Sequence, residues 1–181
     1  QIAEPTCGVI TAIGKTHSEF FPDGEAGVAR AKAELLDALP HGEHVALYAD
    51  SPWLETLRPH AKGPVTTFGM SPDADVRAED YRLVDGRASF RVVTPEGTQD
   101  VLLASPGSHL AINATAALCV ALWHGVPLES AARALESVKL GKHRLQSYTS
   151  SRGWTVVDDS YNAGPSSVRA ALDVLRQWPA I

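Results

Sequence analysis

Val156-Val157-Asp158-Asp159-Ser160-Tyr161-Asn162-Ala163-Gly164-Pro165 runs from a β-branched strand into two adjacent carboxylates and a turn, and then into the helical pattern Ser166-Ser167-Val168 to Leu175. Strand, polar turn and helix in that order form the repeating unit of an open α/β sheet. Ligands of such sheets sit outside the carboxyl ends of the strands, where acidic residues hold ribose hydroxyls or a magnesium ion. On residue types alone, an ordinary strand-turn-helix with a polar N-cap stays open.

The same alternation recurs upstream. Gly8-Val9-Ile10-Thr11-Ala12-Ile13-Gly14 is a short apolar run bounded by glycines, suited to a buried parallel strand. Glu25 to Leu39 carries Val28, Ala31, Leu35, Leu36 and Leu39 at helical spacing, with Pro40 beyond its end. His44 to Ala49 reads as a second strand, Trp53 to His60 as a short helix, and Val65 to Phe68 as a third strand. Strands alternating with helices predict a parallel, helix-covered sheet. Val76 to Val84, Arg87 to Val93 and Thr98 to Ala104 instead alternate apolar and polar residues. The turn signals between them, Asp85-Gly86 and Thr94-Pro95-Glu96-Gly97, predict a small antiparallel meander beside the parallel sheet. Two helices follow, an Ala-rich and therefore buried one over Ser108 to His124 and another over Leu128 to Val138. Lys139 to Gln146 is expected to be a linker, and Trp154 to Leu175 to open a second α/β domain. The expected fold class is α/β, divided into residues 1–146 and 147–181.

Composition narrows the function classes. The chain has 181 residues, 44% hydrophobic and 20% charged, enough for one sizeable core. A net charge of −5 speaks against a nucleic-acid partner. No apolar run is long enough to span a bilayer, and the expectation is a cytoplasmic monomer. Cys7 and Cys119 lack C-x-x-C spacing and sit in apolar surroundings, which predicts buried, reduced thiols. Gln1 and the ending Trp178-Pro179-Ala180-Ile181 look cut, so a longer polypeptide is expected. Gly14-Lys15-Thr16 invites a P-loop reading, which fails because Val9 stands where the first glycine of G-x-x-x-x-G-K-[ST] is required.

A second motif, Gly107-Ser108-His109-Leu110-Ala111-Ile112-Asn113-Ala114-Thr115-Ala116-Ala117, resembles G-x-H-N-x-x-N-x-x-A-A. With Asp159 to Pro165, which looks like D-S-Y-N-A-N-P, it resembles the Mur ligases, ATP-dependent enzymes that build the peptide stem of peptidoglycan. Several motifs fall in the family's order from Val9 to about Leu175. The resemblance implies a P-loop-NTPase-like central domain whose P-loop lies upstream of Gln1, followed by the start of a Rossmann-like C-terminal domain. The Asp-Ser-Tyr-Asn-Ala form is most similar to the branch that joins D-alanyl-D-alanine to UDP-N-acetylmuramoyl-tripeptide.

Site residues follow from the same resemblance. Ile13-Gly14-Lys15-Thr16-His17-Ser18-Glu19 looks like I-G-x-x-H-x-E, which makes His17 a magnesium ligand and carries Glu19 along. Lys32, in Ala31-Lys32-Ala33-Glu34-Leu35-Leu36, matches the lysine that is carbamylated in the family. A carbamate oxygen is the hard ligand that Mg2+ prefers, whereas an ammonium would repel the ion. Asn113 and His109 are expected at the nucleotide, an amide being able to donate and accept at adenine. Asp50 carries over from an N-A-D motif. Arg144 is expected at the ribose or phosphates, and Asp159, Tyr161 and Asn162 at the ATP ribose and its surroundings. Leu110, Tyr48, His143 and Gly164 depart from the family pattern.

The implied reaction makes an acyl-phosphate from ATP and a peptide carboxylate, then an amide from an incoming amine. The 181 residues alone are expected to be inactive. A sister ligase, a folylpolyglutamate or cyanophycin synthetase, and a non-catalytic nucleotide-binding homologue are the alternatives.

Overall fold

The computed structural model describes residues 4–15 and 18–178, so the expected ligand His17 lies outside the described residues. Three parallel strands open the chain: β1 (Cys7–Ile10), β2 (His44–Tyr48) and β3 (Val65–Gly69). The meander β4 (Val76–Val84), β5 (Arg87–Thr94) and β6 (Gly97–Leu102) joins the same sheet rather than forming a separate one. β4 lies parallel to β3 through Phe68↔Val76, and β5 and β6 then add antiparallel, giving six strands in sequence order. The β4–β5 turn has Asp85 at φ 49° and Gly86 at φ 72°. Two left-handed residues in succession are what a two-residue I′ hairpin requires, so Asp-Gly at this point is a sound signal.

Helices cover both faces. α1 (Glu25–Ala38) and the short α2 (Leu54–Leu57) pack on one side, where Leu36, Leu39, Val45, Leu47 and Leu57 are buried. α3 (Ser108–Trp123) and α4 (Leu128–Glu136) pack on the other, over Phe68, Phe90, Val92 and Val101. The period of two along β2 divides Val45 and Leu47 from Ala46, which belongs to the opposite core. α3 is apolar on most faces, as expected, and buries Ala111, Ala114, Thr115, Ala116, Leu118 and Cys119. The Cys119 thiol is pushed up to about 12 by burial.

Of the stripe that the sequence suggests for α1, Val28, Leu36 and Leu39 are buried, but Ala31 and Leu35 are not. Ala31 and Leu35 face out, and Ala29 and Ala33 are buried instead. An alanine-rich helix offers more than one apolar stripe, and close approach decides between them. A Cβ at Gly27 would lie 2.4 Å from Phe21 Cβ, so that side of α1 meets the preceding loop where no side chain fits.

After α4 the structure changes character. β7 (Gln146–Thr149) and β8 (Thr155–Asp158) pair antiparallel as a separate two-stranded sheet, and α5 (Pro165–Gln177) follows. The expected linker ends at Gln146, and no strand was expected over Ser147 to Thr149: Gln-Ser-Tyr-Thr has no apolar alternation, and all four residues are exposed. Pairing with β8, not burial, makes it a strand. Among the described residues, no helix is long and apolar enough to cross a membrane.

Candidate functional site

A cleft of about 840 Å³ runs along the seam between the large sheet and the β7–β8–α5 segment. Four stretches distant in sequence meet there. Lys15 and Glu19 come from the loop that leaves the carboxyl end of β1, and His109, Leu110 and Asn113 from the first turns of α3. Leu140, Arg144 and Leu145 come from the linker. Asp159 and the run from Tyr161 to Ser167 complete the wall, ending in the first turn of α5. A crevice outside the carboxyl end of a parallel strand is the usual ligand position in such sheets.

The turn before α3 is built around a glycine. Gly107 has φ 120°, and a Cβ there would lie 2.6 Å from Cε1 and 2.9 Å from Nδ1 of His109. Its N–H donates to the Tyr81 hydroxyl at 3.2 Å, and burial raises the Tyr81 pKa. The His109 ring therefore lies against the backbone, and its Nδ1 is buried with no hydrogen-bond partner among the described residues. Burial lowers the His109 pKa, and the nearby Asp159 carboxylate only partly opposes this. The imidazole is thus favoured in its neutral form, as a polar group without a charge.

The two adjacent carboxylates at the end of β8 do different work, because successive side chains of a strand point to opposite sides. Asp158 turns away from the cleft. Its Oδ1 accepts from the Ser160 hydroxyl at 2.7 Å and the Ser160 N–H at 3.1 Å, and its Oδ2 lies 2.8 Å from His143 Nδ1. Donation from Ser160, then from His143, holds the Asp158 carboxyl down at about 2. Asp159 faces the cleft, and its Oδ1 accepts the Leu145 N–H at 3.1 Å.

Arg144 and Tyr161 meet on the β7–β8–α5 side of the cleft, with the guanidinium carbon 4.2 Å from the ring centroid. Such a contact contributes roughly 0.5–1 kcal/mol at an exposed site. Its neighbours are in an uncommon conformation, His143 at φ 63° and Leu145 at φ 45°. A left-handed backbone costs a non-glycine residue on the order of 1–2 kcal/mol. The family pattern has glycine at the position of His143, which such a φ would explain.

Of the residues singled out from sequence, the cleft brings together Asn113, His109, Arg144, Asp159, Tyr161 and Asn162. Asp50 and Lys32 do not line it. The Asp50 Oδ2 accepts the N–H groups of Met70 at 2.8 Å and Ser71 at 3.3 Å, tying the β2 turn to the end of β3. Lys32 stands exposed on α1. Among the described residues, no three His, Cys, Asp or Glu converge on a point that could hold a metal ion. Of the two magnesium ligands that the resemblance implies, Lys32 is the one whose place is described, His17 lying outside the described residues. Lys15 and the Ser166–Ser167 pair line the cleft without having been singled out as ligands. For Lys15 the sequence carries a signal, since it directly follows a β-run, but Gly14-Lys15-Thr16 resembles a P-loop first and fails that pattern.

Comparison with known proteins agrees with this architecture. The family model described as the Mur ligase middle domain matches residues 1–121. The UDP-N-acetylmuramoyl-tripeptide–D-alanyl-D-alanine ligases of Mycobacterium tuberculosis and Mycobacterium bovis are each 35% identical over 177 residues, covering 97% of this chain and 34% of theirs. A crystal structure of MurF from Acinetobacter baumannii superposes with a TM-score of 0.90 at 33% identity, over 97% of this chain and 38% of that one. MurF ligase from Thermotoga maritima in complex with ADP has the same fold, with a TM-score of 0.87 at 23% identity over 99% of this chain and 41% of that one. The chain spans about a third of the length of the curated relatives it matches. A middle-domain match over residues 1–121, joined to this sheet and this seam, places the chain in the Mur ligase family.

Proposed function

We propose that this chain is part of an ATP-dependent ligase that joins D-alanyl-D-alanine to UDP-N-acetylmuramoyl-tripeptide in peptidoglycan synthesis. The observation that carries the reading is the convergence of Asn113, His109, Arg144, Asp159 and Tyr161, from three separate stretches of sequence, on one cleft. The Mycobacterium relatives, by name, support the choice of acceptor.

In this reading the cleft binds ATP. Asn113 meets the base through an amide that both donates and accepts. Asp159 accepts from the ribose, and neutral His109 closes the pocket beside it. Arg144, a permanent cation with a planar fork of donors, meets the phosphates. The γ-phosphoryl group passes to the peptide carboxylate, giving an acyl-phosphate and ADP. The amine of D-alanyl-D-alanine then attacks the acyl carbon, the amide forms, and phosphate leaves. Fixed positive charge near the transferring group stabilises the charge that develops there. Because the intermediate is carried on the substrate, no nucleophilic side chain is required. Residues 1–146 form the ATP-binding portion and residues 147–181 the start of the next domain, in a cytoplasmic monomer. His17 and carbamylated Lys32 are the proposed magnesium ligands.

The test is ADP release by the full-length protein with ATP, magnesium and UDP-N-acetylmuramoyl-tripeptide, offering D-alanyl-D-alanine against single amino acids. Turnover with the dipeptide alone is expected. Turnover with a single amino acid would move the protein to a sister ligase, and none with any acceptor would leave a nucleotide-binding homologue. A Lys32→Ala variant as active as wild type would remove Lys32 from the mechanism. Residues 1–181 alone are expected to release no ADP in a substrate-dependent way.

A further inference from the structure

The linker that delivers Arg144 to the cleft is left-handed on both sides of it, with His143 at φ 63° and Leu145 at φ 45°. Neither residue is a glycine, so other contacts must hold the conformation. Three of them are backbone-anchored. The Tyr161 N–H donates to the His143 carbonyl at 3.0 Å, the His143 N–H donates to Gln146 Oε1 at 3.0 Å, and the Leu145 N–H donates to Asp159 Oδ1 at 3.1 Å. The fourth joins two side chains, His143 Nδ1 and Asp158 Oδ2, at 2.8 Å. A carboxylate only accepts, so Nδ1 carries the hydrogen. Asp158 is itself fixed by the Ser160 hydroxyl and N–H. The imidazole thus ties the linker to a rigid point at the end of β8.

We propose that His143 is a positioning residue for Arg144: its tether to Asp158 keeps the linker left-handed and so sets the guanidinium over Tyr161, in the cleft. Glycine would adopt this backbone unaided, but it would also leave the linker free to adopt others. Histidine exchanges that freedom for a bond. The inference rests on the nucleotide-binding reading of the cleft, with Arg144 at the phosphates.

The test uses the full-length protein, with KM for ATP, kcat, ADP affinity by calorimetry and thermal unfolding measured on each variant. His143→Ala removes the tether while leaving a non-glycine residue where a positive φ is needed. It is expected to raise KM for ATP and the ADP Kd about tenfold with kcat within about twofold, the pattern of lost uniform binding. His143→Asn is the rescue, because asparagine tolerates the left-handed region and places an amide N–H where the imidazole Nδ1 stood. It should return both constants to within about threefold of wild type, about half of the tenfold loss on a free-energy scale. Asp158→Asn, which keeps the acceptor's shape without its charge, should show a smaller loss, about threefold. Wild-type ADP affinity in His143→Ala would overturn the proposal, as would His143→Asn no better than His143→Ala at equal thermal stability. A wild-type protein that binds no ADP would instead remove the nucleotide reading, and the proposal with it. A His143→Ala protein that fails to fold leaves the comparison of His143→Asn and Asp158→Asn with wild type, where unchanged KM in Asp158→Asn sinks the tether.

Discussion

The six-stranded sheet and the β7–β8–α5 segment are held by different physics. In the sheet, Phe68, Val45, Leu47, Val92 and Ala88 have no measurable exposure, and helices close both faces. Among the described residues after 140, Leu145 and Val174 are the buried apolar ones, while Trp154, Tyr161, Tyr148 and Leu172 are each more than half exposed. That segment is fastened by directed contacts: His143 with Asp158, Leu145 with Asp159, Tyr161 with His143, and Arg144 over Tyr161. Trp178 adds one apolar tie, packed so closely on the β4–β5 turn that a Cβ at Gly86 would lie 2.9 Å from its ring. The cleft lies between a floor set by packing and a wall set by polar bonds. Packing fixes a floor because it cannot be exchanged for water without loss. Polar bonds at a surface can be exchanged, at a net cost of only about 0.5–1.5 kcal/mol each. The geometry of the site therefore depends on its weaker side.

The comparison can be broken most directly at Phe68. Phe68→Ala is expected to destabilise the chain by about 3–5 kcal/mol in urea unfolding, the usual cost of emptying an aromatic core site. A loss under about 1 kcal/mol would mean that packing does not hold the floor. Next in size is Gly107→Ala, where a new Cβ meets His109 and the backbone has φ 120°. It should cost roughly 1–3 kcal/mol and weaken ADP binding by displacing the His109 ring. Retained stability with unchanged ADP affinity would show that the turn yields freely. Arg144→Ala tests the wall, with an expected stability loss below about 1 kcal/mol. The same variant should bind ADP less tightly, and a large stability loss would show that the seam is built like the core.

The smallest effect is the titration of Asp158, expected near pH 2 by carboxyl NMR rather than near the ordinary value of 3.8. The folded-state pKa is depressed, so the stabilisation is present above the unfolded value. It is lost as pH falls from about 4 through about 2, because the unfolded chain takes up the proton first. A midpoint near 4 would mean that the contacts with Ser160 and His143 do not form in solution.

Where periodicity and turn chemistry are strong, the fold is legible from residues. β4, β5 and the Asp85-Gly86 turn came through because alternation and a left-handed dipeptide are local signals. β7 did not, because nothing in Gln146-Ser147-Tyr148-Thr149 distinguishes an exposed paired strand from a linker. On α1, Val28, Leu36 and Leu39 are buried as expected, whereas Ala31 and Leu35 face out and Ala29 and Ala33 are buried instead, because alanine fits either face. The candidate site shows the same division. Asn113, His109, Arg144, Asp159, Tyr161 and Asn162 were marked from motifs, and all six line the cleft. Asp50 was marked by the same reasoning, yet its carboxylate is engaged by Met70 and Ser71. A short acidic motif reads the same whether its carboxylate holds a ligand or a turn.

By itself, the sequence determined the α/β alternation, the hairpin turn and the residue types of the motifs that line the cleft, because all of these are encoded within a few residues of one another. Only the tertiary structure decided that the meander continues the parallel sheet, that Asp158 meets His143 while Asp159 faces the cleft, and that Lys15 and Ser167 share a cleft with Arg144. Those facts depend on which surfaces meet across intervening chain, more than a hundred residues of it between Lys15 and Arg144, and no local pattern records them.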